Sequence, residues 1–326
     1  MSFLDQSQVS RLRAGALSAI WYSHTETFEI SPTAHRSRPP EEDFIASLIV
    51  LGLPRLMLAW RPFFKKWKLQ FSLTGVFCHQ TPKAEFVVGT KKESPELADV
   101  LFVRRNTNRT GQVRQVASLI QAKMSPDGDL SLPKGDPQLY LLSHWPSFQI
   151  KGLSAPSKKF AIGRAERQAL YAAISPEQKY PEENLTWPDA CASGTLPPAQ
   201  RGSVEKSLAS FLVDLLNFEE GREFYDPRTT ACDWSELISY LLRTTFSMPL
   251  RTRDITFPHT RGITVDLNRT VFCAKEGSFN PAFFPPRVAD LAAGGSREPP
   301  DERAEAEFAD GGQGRAIIIE TSEIQD

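Results

Sequence analysis

The chain has 326 residues, of which 40% are hydrophobic and 24% charged, and a net charge of −1. That is apolar material for a substantial core, in one large domain or two ordinary ones, and it describes a soluble globular protein. Cys78, Cys191, Cys232 and Cys273 form no C-x-x-C pair and lie at no zinc spacing from the five histidines, and no G-x-x-x-x-G-K-[ST] loop suggests ATP hydrolysis.

Residues 1–20 mix Asp5, Arg11 and Arg13 with scattered apolar positions, unlike a signal peptide, so the expected location is the cytoplasm. Ser7–His24 reads as an amphipathic helix and Ser31–Pro40 as a linker. Glu41–Trp60 reads as a largely apolar helix with Glu41, Glu42 and Asp43 in its first turn, where acids suit the helix dipole. Its longest apolar run, Phe44–Leu53, stops at Pro54, short of a membrane span. Val76–Pro82 carries His79, a weak candidate for substrate contact or proton transfer. Ala84–Val88 reads as the first strand of a sheet.

Glu96–Val103 follows as a strand with Asp99 at its mouth, and Ala117–Lys123 as a second strand. Period-2 geometry sends Gln121 and Lys123 to one face, and Asn106, Asn108 and Gly111 suit a hairpin that sets the strands side by side. Hydrolysis of a phosphodiester needs a hard cation held by oxygens and a group that steers the attacking water. Asp99 would be the main ligand, Gln121 would lend its amide oxygen, and Glu96 would be a second carboxylate. The Lys123 ammonium would orient the water or stabilise charge on the phosphorane. The alternative is structural: an Asp before a strand caps a turn, and a Lys at a strand end is a solvated charge.

This pattern of acid, strand, turn and strand ending in Gln121-Ala122-Lys123 resembles the PD-(D/E)xK nuclease superfamily in its QxK, Mrr-like form, over roughly residues 40–150. Asp99 matches the family's metal-binding Asp, Gln121 its variable acid position, and Lys123 its Lys. The resemblance implies a restriction-endonuclease-like α/β core with a mixed central sheet flanked by helices. It also implies a Mg²⁺ or Mn²⁺ cofactor, DNA cleavage within a restriction or anti-phage system, and a homodimer or a defence-system partner. Some relatives add a helix acid, which would make Glu42 a further ligand, although capping explains it as well. The competing function is a non-catalytic, nuclease-like subunit that binds nucleic acid or a partner ATPase or helicase.

Charge is uneven. Residues 54–123 hold 13 Lys and Arg against 4 Asp and Glu, a net of plus nine that suits a polyphosphate. Lys65, Lys66 and Lys68 alternate with aromatics, and Lys91-Lys92 and Arg104-Arg105 flank the strand after Asp99, as backbone-phosphate contacts or as plain solvated surface.

Further on, Asp136–His144 reads as a short helix and Ser147–Ile150 as a closing strand. Ser203–Glu219 and Trp234–Arg243 show helical spacing, Pro188–Pro198 reads as a loop, and Ile263–Cys273 as a strand. Residues 292–314 are rich in Gly, Pro, Ala and acid, with one late strand possible at Ala316–Ile319. The expected domains are residues 1–40 as helix and linker, 41–155 as nuclease core, 156–291 as a mainly helical extension, and 292–326 as a flexible acidic tail.

Overall fold

The computed structural model describes residues 4–31, 38–67, 69–76, 82–108, 110–151, 158–177, 192–198, 201–245, 249–251, 256–260, 262–266, 270–271 and 317–323; His79 and Lys68 lie outside them. The first helix, α1 (Gln6–Ile30), begins at a capping box in which the Asp5 carboxylate accepts from the Gln8 amide at 2.9 Å and the Gln8 side chain accepts from the Asp5 amide at 2.8 Å. Helix α2 (Glu41–Ser47) runs through a π-helical turn at Leu48–Gly52 into α3 (Leu53–Lys66). The expected helix over Glu41–Trp60 thus runs past Pro54, broken by one π turn and extended to Lys66. Pro54 sits at the start of α3, directly after the π turn, where an irregular ladder tolerates the missing N–H. A side chain at Gly52 would crowd Leu48 at 2.9 Å and Ser23 at 3.2 Å, so the π turn and α1 approach closely there. Glu41–Lys66 is long and apolar enough to cross a membrane, but 78% of its most apolar window is buried inside the protein.

The strands follow as β1 (Leu69–Val76), β2 (Lys83–Val88), β3 (Lys91–Glu93), β4 (Val100–Thr107), β5 (Val113–Met124) and β6 (Asp129–Ser131). Helix α4 (Pro137–His144) leads to β7 (Phe148–Lys151), β8 (Lys159–Phe160), β9 (Ala169–Ile174), β10 (Ser193–Leu196), β11 (Arg201–Ser203) and β12 (Lys206–Ser207). Then come α5 (Leu208–Leu216), β13 (Arg222–Glu223), α6 (Asp233–Thr245), β14 (Pro249–Arg251), β15 (Thr256–Thr260), β16 (Gly262–Asp266), β17 (Thr270–Val271) and β18 (Ile317–Glu323). The main sheet runs β12-β10-β9-β5-β4-β18-β1-β16-β17, with β13 on the β5 flank. It is mixed: β5 and β9 pair in parallel, as do β4 and β18, while β4 and β5 are antiparallel. The molecule is a mixed α/β fold.

Two apolar layers cover this sheet. Val100, Phe102, Ile120, Ala122, Ala172 and Ile174 pack toward α1, α2, α3 and α5. Their strand neighbours Leu101, Val103, Leu119, Ala169, Tyr171 and Ala173 pack toward α4, α6 and a small sheet of order β3-β2-β7-β8. The β4–β5 turn is the expected one, tightened to residues 108–112. Asn108 Oδ1 accepts from the Thr110 and Gln112 amides at 3.0 and 2.9 Å, and Gly111 takes φ +77.

The expected domain plan needs correction. The described residues within 156–291 are not mainly helical: β9, β10 and β12 extend the sheet that contains β4 and β5, so the sheet runs across the expected boundary at residue 155. The cause is legible in hindsight, because Ala169–Ile174 is buried at every position and lacks the alternation that marks a half-exposed strand. β10 likewise occupies the expected loop at Pro188–Pro198. The expected first strand near Ala84–Val88 and closing strand near Ser147–Ile150 form β2 and β7, which pair with each other in the small sheet. The strand β1 takes the place beside the late strand instead. Helix α1 is part of the core rather than a separate segment. The late strand is present as β18 and lies between β4 and β1, inside the sheet rather than in a tail.

Candidate active site

Asp99 stands one residue before β4, and its amide donates to the Ile120 carbonyl at 3.0 Å. Its side chain is fully buried, and Oδ2 accepts from the Ala122 amide at 2.8 Å and from the Gln121 side-chain amide. Asp99 thus continues the β4–β5 ladder with its carboxylate. Gln121 is also buried, and its Oε1 accepts from Gln138 Nε2; Gln138, in the first turn of α4, donates as well to the Glu96 carbonyl at 3.1 Å. Lys123 lies two residues further along β5 on the same face, one-third exposed, with Nζ 3.7 Å from Glu41 Oε1. The expected convergence of Asp99 and Gln121 is therefore present, with Lys123 beside them.

The third strand contributes a residue that the sequence reading passed over. Gln121 pairs in register with Tyr171 of β9, so Asp99, Gln121 and Tyr171 form a row across three adjacent strands on the face covered by α4. Tyr171 is 1% exposed, and its hydroxyl has no hydrogen-bond partner among the described residues. Burial pushes the phenol pKa well above its ordinary value, and the charges of Asp136 and Asp99 push it further. Asp136 caps α4, accepting from the Leu139 amide at 2.7 Å. The short apolar run of β9, bounded by Gly163 and Ser175-Pro176, was the signal available for Tyr171. Gln138 had none, because its role depends on where α4 docks.

The remaining expected residues scatter. Glu96 is half-buried at an isolated bridge with Lys83 and meets the site through its backbone carbonyl. Glu42 is buried; it is its neighbour Glu41 that reaches Lys123. Arg104 is not a phosphate contact. Its alternation on β4 turns it to the opposite face, where Nε donates to the Leu216 carbonyl at the end of α5 at 3.1 Å and the guanidinium lies 4.6 Å from the Phe218 ring centroid. Arg105 is exposed on the adjacent position. Lys65 and Lys66 are exposed on the last turn of α3, roughly 35 Å from Glu41 at about 1.5 Å per helical residue. Lys91 and Lys92 pair with Glu93 at 2.5 Å and Glu85 at 2.9 Å, and Lys92 foremost holds the Glu85 carboxyl below its usual range. Part of the basic excess is thus matched locally.

The oxygen donors set what the site can hold. Asp99 offers a carboxylate, while the Gln121 amide turns its nitrogen to Asp99 and its oxygen to Gln138, with Asp136 near the same row; among the described residues no three His, Cys, Asp or Glu side chains form a metal-sized group. A hard cation would fit these residues only if the Gln121 amide turned its oxygen toward Asp99 and the row, buried as it stands, opened to admit it. No protein-family model matches the chain, and no curated protein or solved structure matches it.

Proposed function

We propose that this protein is a metal-dependent phosphodiesterase that cleaves nucleic acid, DNA foremost, in the cytoplasm and within a restriction or anti-phage system. The observation that carries the reading is the contact between Asp99 and Gln121 on paired strands with Lys123 two positions on. Asp99 and Gln121 would hold Mg²⁺ or Mn²⁺. When bound, such a cation polarises the phosphoryl oxygens and lowers the pKa of a coordinated water. Lys123, released from Glu41, orients the attacking water and faces the charge that grows as oxygen adds to phosphorus and the ester oxygen leaves. Gln138 fixes the Gln121 amide, so the α4 first turn sets its angle. Cutting both strands of a duplex calls for two sites, which a homodimer would supply.

The test is cleavage of supercoiled plasmid, linear duplex, single-stranded DNA and RNA with Mg²⁺ or Mn²⁺, by the wild type, Asp99→Asn and Lys123→Ala. Cutting that both variants lack supports the reading, and variants that cut like wild type sink it. A second reading, a nuclease-like subunit that binds without cutting, is favoured by one observation: Asp99, Gln121 and Lys123 each already find partners inside the protein. It predicts nucleic-acid binding with no cleavage on any of the four substrates, and no change in that binding on Asp99→Asn.

A further inference from the structure

The small sheet β3-β2-β7-β8 has one face in the core and one in water. Ala84, Phe86, Phe148, Ile150 and Phe160 belong to the apolar layer that α4 and α6 share. Alternation turns the residues between them outward, where the register sets Lys83 opposite Lys151, Val87 opposite Lys92, and Gln149 opposite both Glu85 and Lys159. Lysines from all four strands thus share this face with Glu85, and Glu96 bridges Lys83 beyond the end of β3, so four cations meet two acids. Glu85 takes Lys92 at 2.9 Å and Lys151 at 3.6 Å, and among the described residues Lys83 and Lys159 pair with no carboxylate. The side chains of Lys92 and Lys151 are still 65% and 53% exposed, so both stay open to a partner. Like charges directly opposite in an antiparallel pair repel, and stability alone would set an acid rather than Lys151 against Lys83. One end of the face adjoins the candidate site, since Gln138, which holds the Gln121 amide, also donates to the Glu96 carbonyl at 3.1 Å.

We infer that this outer face is a docking surface for the phosphate backbone of a nucleic acid, with Lys83, Lys151 and Lys159 as its phosphate contacts and Lys92 at its edge. The inference rests on the reading of the protein as one that acts on nucleic acid, and it gives the substrate a track that ends beside Glu96, three residues before Asp99. Spaced ammonium groups neutralise phosphates one by one and release the counterions condensed there, a contact that follows charge rather than sequence. Lys65 and Lys66, on the last turn of α3, lie outside this face.

The experiment measures binding of fluorescent duplex DNA, single-stranded DNA and RNA to the full chain across a salt series, with Ca²⁺ in place of Mg²⁺ and with poly-glutamate as a second polyanion. It compares wild type with a triple variant, Lys83→Gln, Lys151→Gln and Lys159→Gln, with the same three positions changed to Arg, and with Lys65→Gln and Lys66→Gln combined. All these side chains are exposed, so thermal midpoints are expected to hold. The Gln triple is expected to flatten the dependence of log affinity on log salt by nearly three on duplex, about 0.9 for each lost contact, and to weaken binding roughly a hundredfold at about 0.1 M salt. The Arg triple keeps the charge and is expected to bind like wild type, as is the Lys65 and Lys66 pair. A Gln triple with the wild-type slope, or an equal loss in the Lys65 and Lys66 pair, overturns the inference and leaves the nuclease reading standing. Loss of poly-glutamate binding with duplex binding intact also overturns it, and makes the face a dock for an acidic protein. A wild type that binds none of the nucleic acids overturns both.

Discussion

The two faces of the central sheet use the same strands for opposite purposes. Toward α1 and α5, the level of Ile120 and Ala122 is apolar, with Val100, Ala172 and Phe211 around it, and Phe211 meets Phe102 edge-on at 5.3 Å between ring centroids. One residue along each strand, toward α4, the same level carries Asp99, Gln121 and Tyr171, all nearly inaccessible. The first face gains stability by excluding water from hydrocarbon. The second gives up part of that gain to keep polar groups dry, where electrostatic interactions are strongest and each hydrogen bond is directional. A fold that needed only stability would have repeated the first face on the second.

The contrast can be broken in graded steps. Asp99→Asn keeps an acceptor for the Ala122 amide but removes the charge. It is expected to reduce cleavage by roughly a thousandfold, about 4 kcal/mol of barrier, with a much smaller change in stability, checked by plasmid nicking beside urea denaturation. Phe211→Ala does the reverse. It opens a cavity on the apolar face and is expected to lower unfolding free energy by about 3–5 kcal/mol while leaving Mn²⁺ affinity unchanged in the folded fraction.

The apolar face also contains a buried histidine, His24, stacked on Phe44 at 4.8 Å with Nε2 2.8 Å from the Ser175 carbonyl oxygen. Burial lowers its pKa to about 4, against a partial opposing effect of that carbonyl. The unfolded chain binds a proton near the ordinary pKa of about 6.5 and the folded protein does not, so the stability is fully present above pH ~6.5 and falls as pH drops toward 4. The loss approaches roughly 3 kcal/mol, and urea midpoints at pH 8 and pH 5 should show it in wild type but not in His24→Phe. Smallest is Lys92→Ala, which removes an exposed pair with Glu85 and is expected to cost less than about 1 kcal/mol; a midpoint shift of several degrees would contradict the surface assignment.

The sequence carried the local chemistry of this site better than its surroundings. Asp99 at a strand mouth, the Asn108–Gly111 turn and the Gln121-x-Lys123 spacing follow from period and turn chemistry, and the strand pairing that joins them is a hairpin of near neighbours. Arg104 was misplaced because β4 is covered on both faces, so alternation identifies two faces without telling which is the site's. Tyr171 was missed because β9 pairs with β5 across a separation that no local pattern reports, and its uniformly apolar run looks the same whichever sheet receives it. Glu41 and Glu42 are adjacent acids in one helical turn, and only the docking of α2 on the end of β5 decides which meets Lys123.

The position of β18 has a consequence for synthesis. Ile317 pairs with Phe102, and Leu73 with Ile319, so the strand that bridges β4 and β1 leaves the ribosome after every other described strand of the sheet. Until it emerges, β4 and β1 each present an open edge, the kind of template on which chains join one another by mistake. Loop closure over such a separation is slow. The nascent protein is thus expected to hold its two half-sheets apart for much of translation, and a ribosome stalled before residue 317 should carry a chain that is protease-sensitive and prone to capture by chaperones.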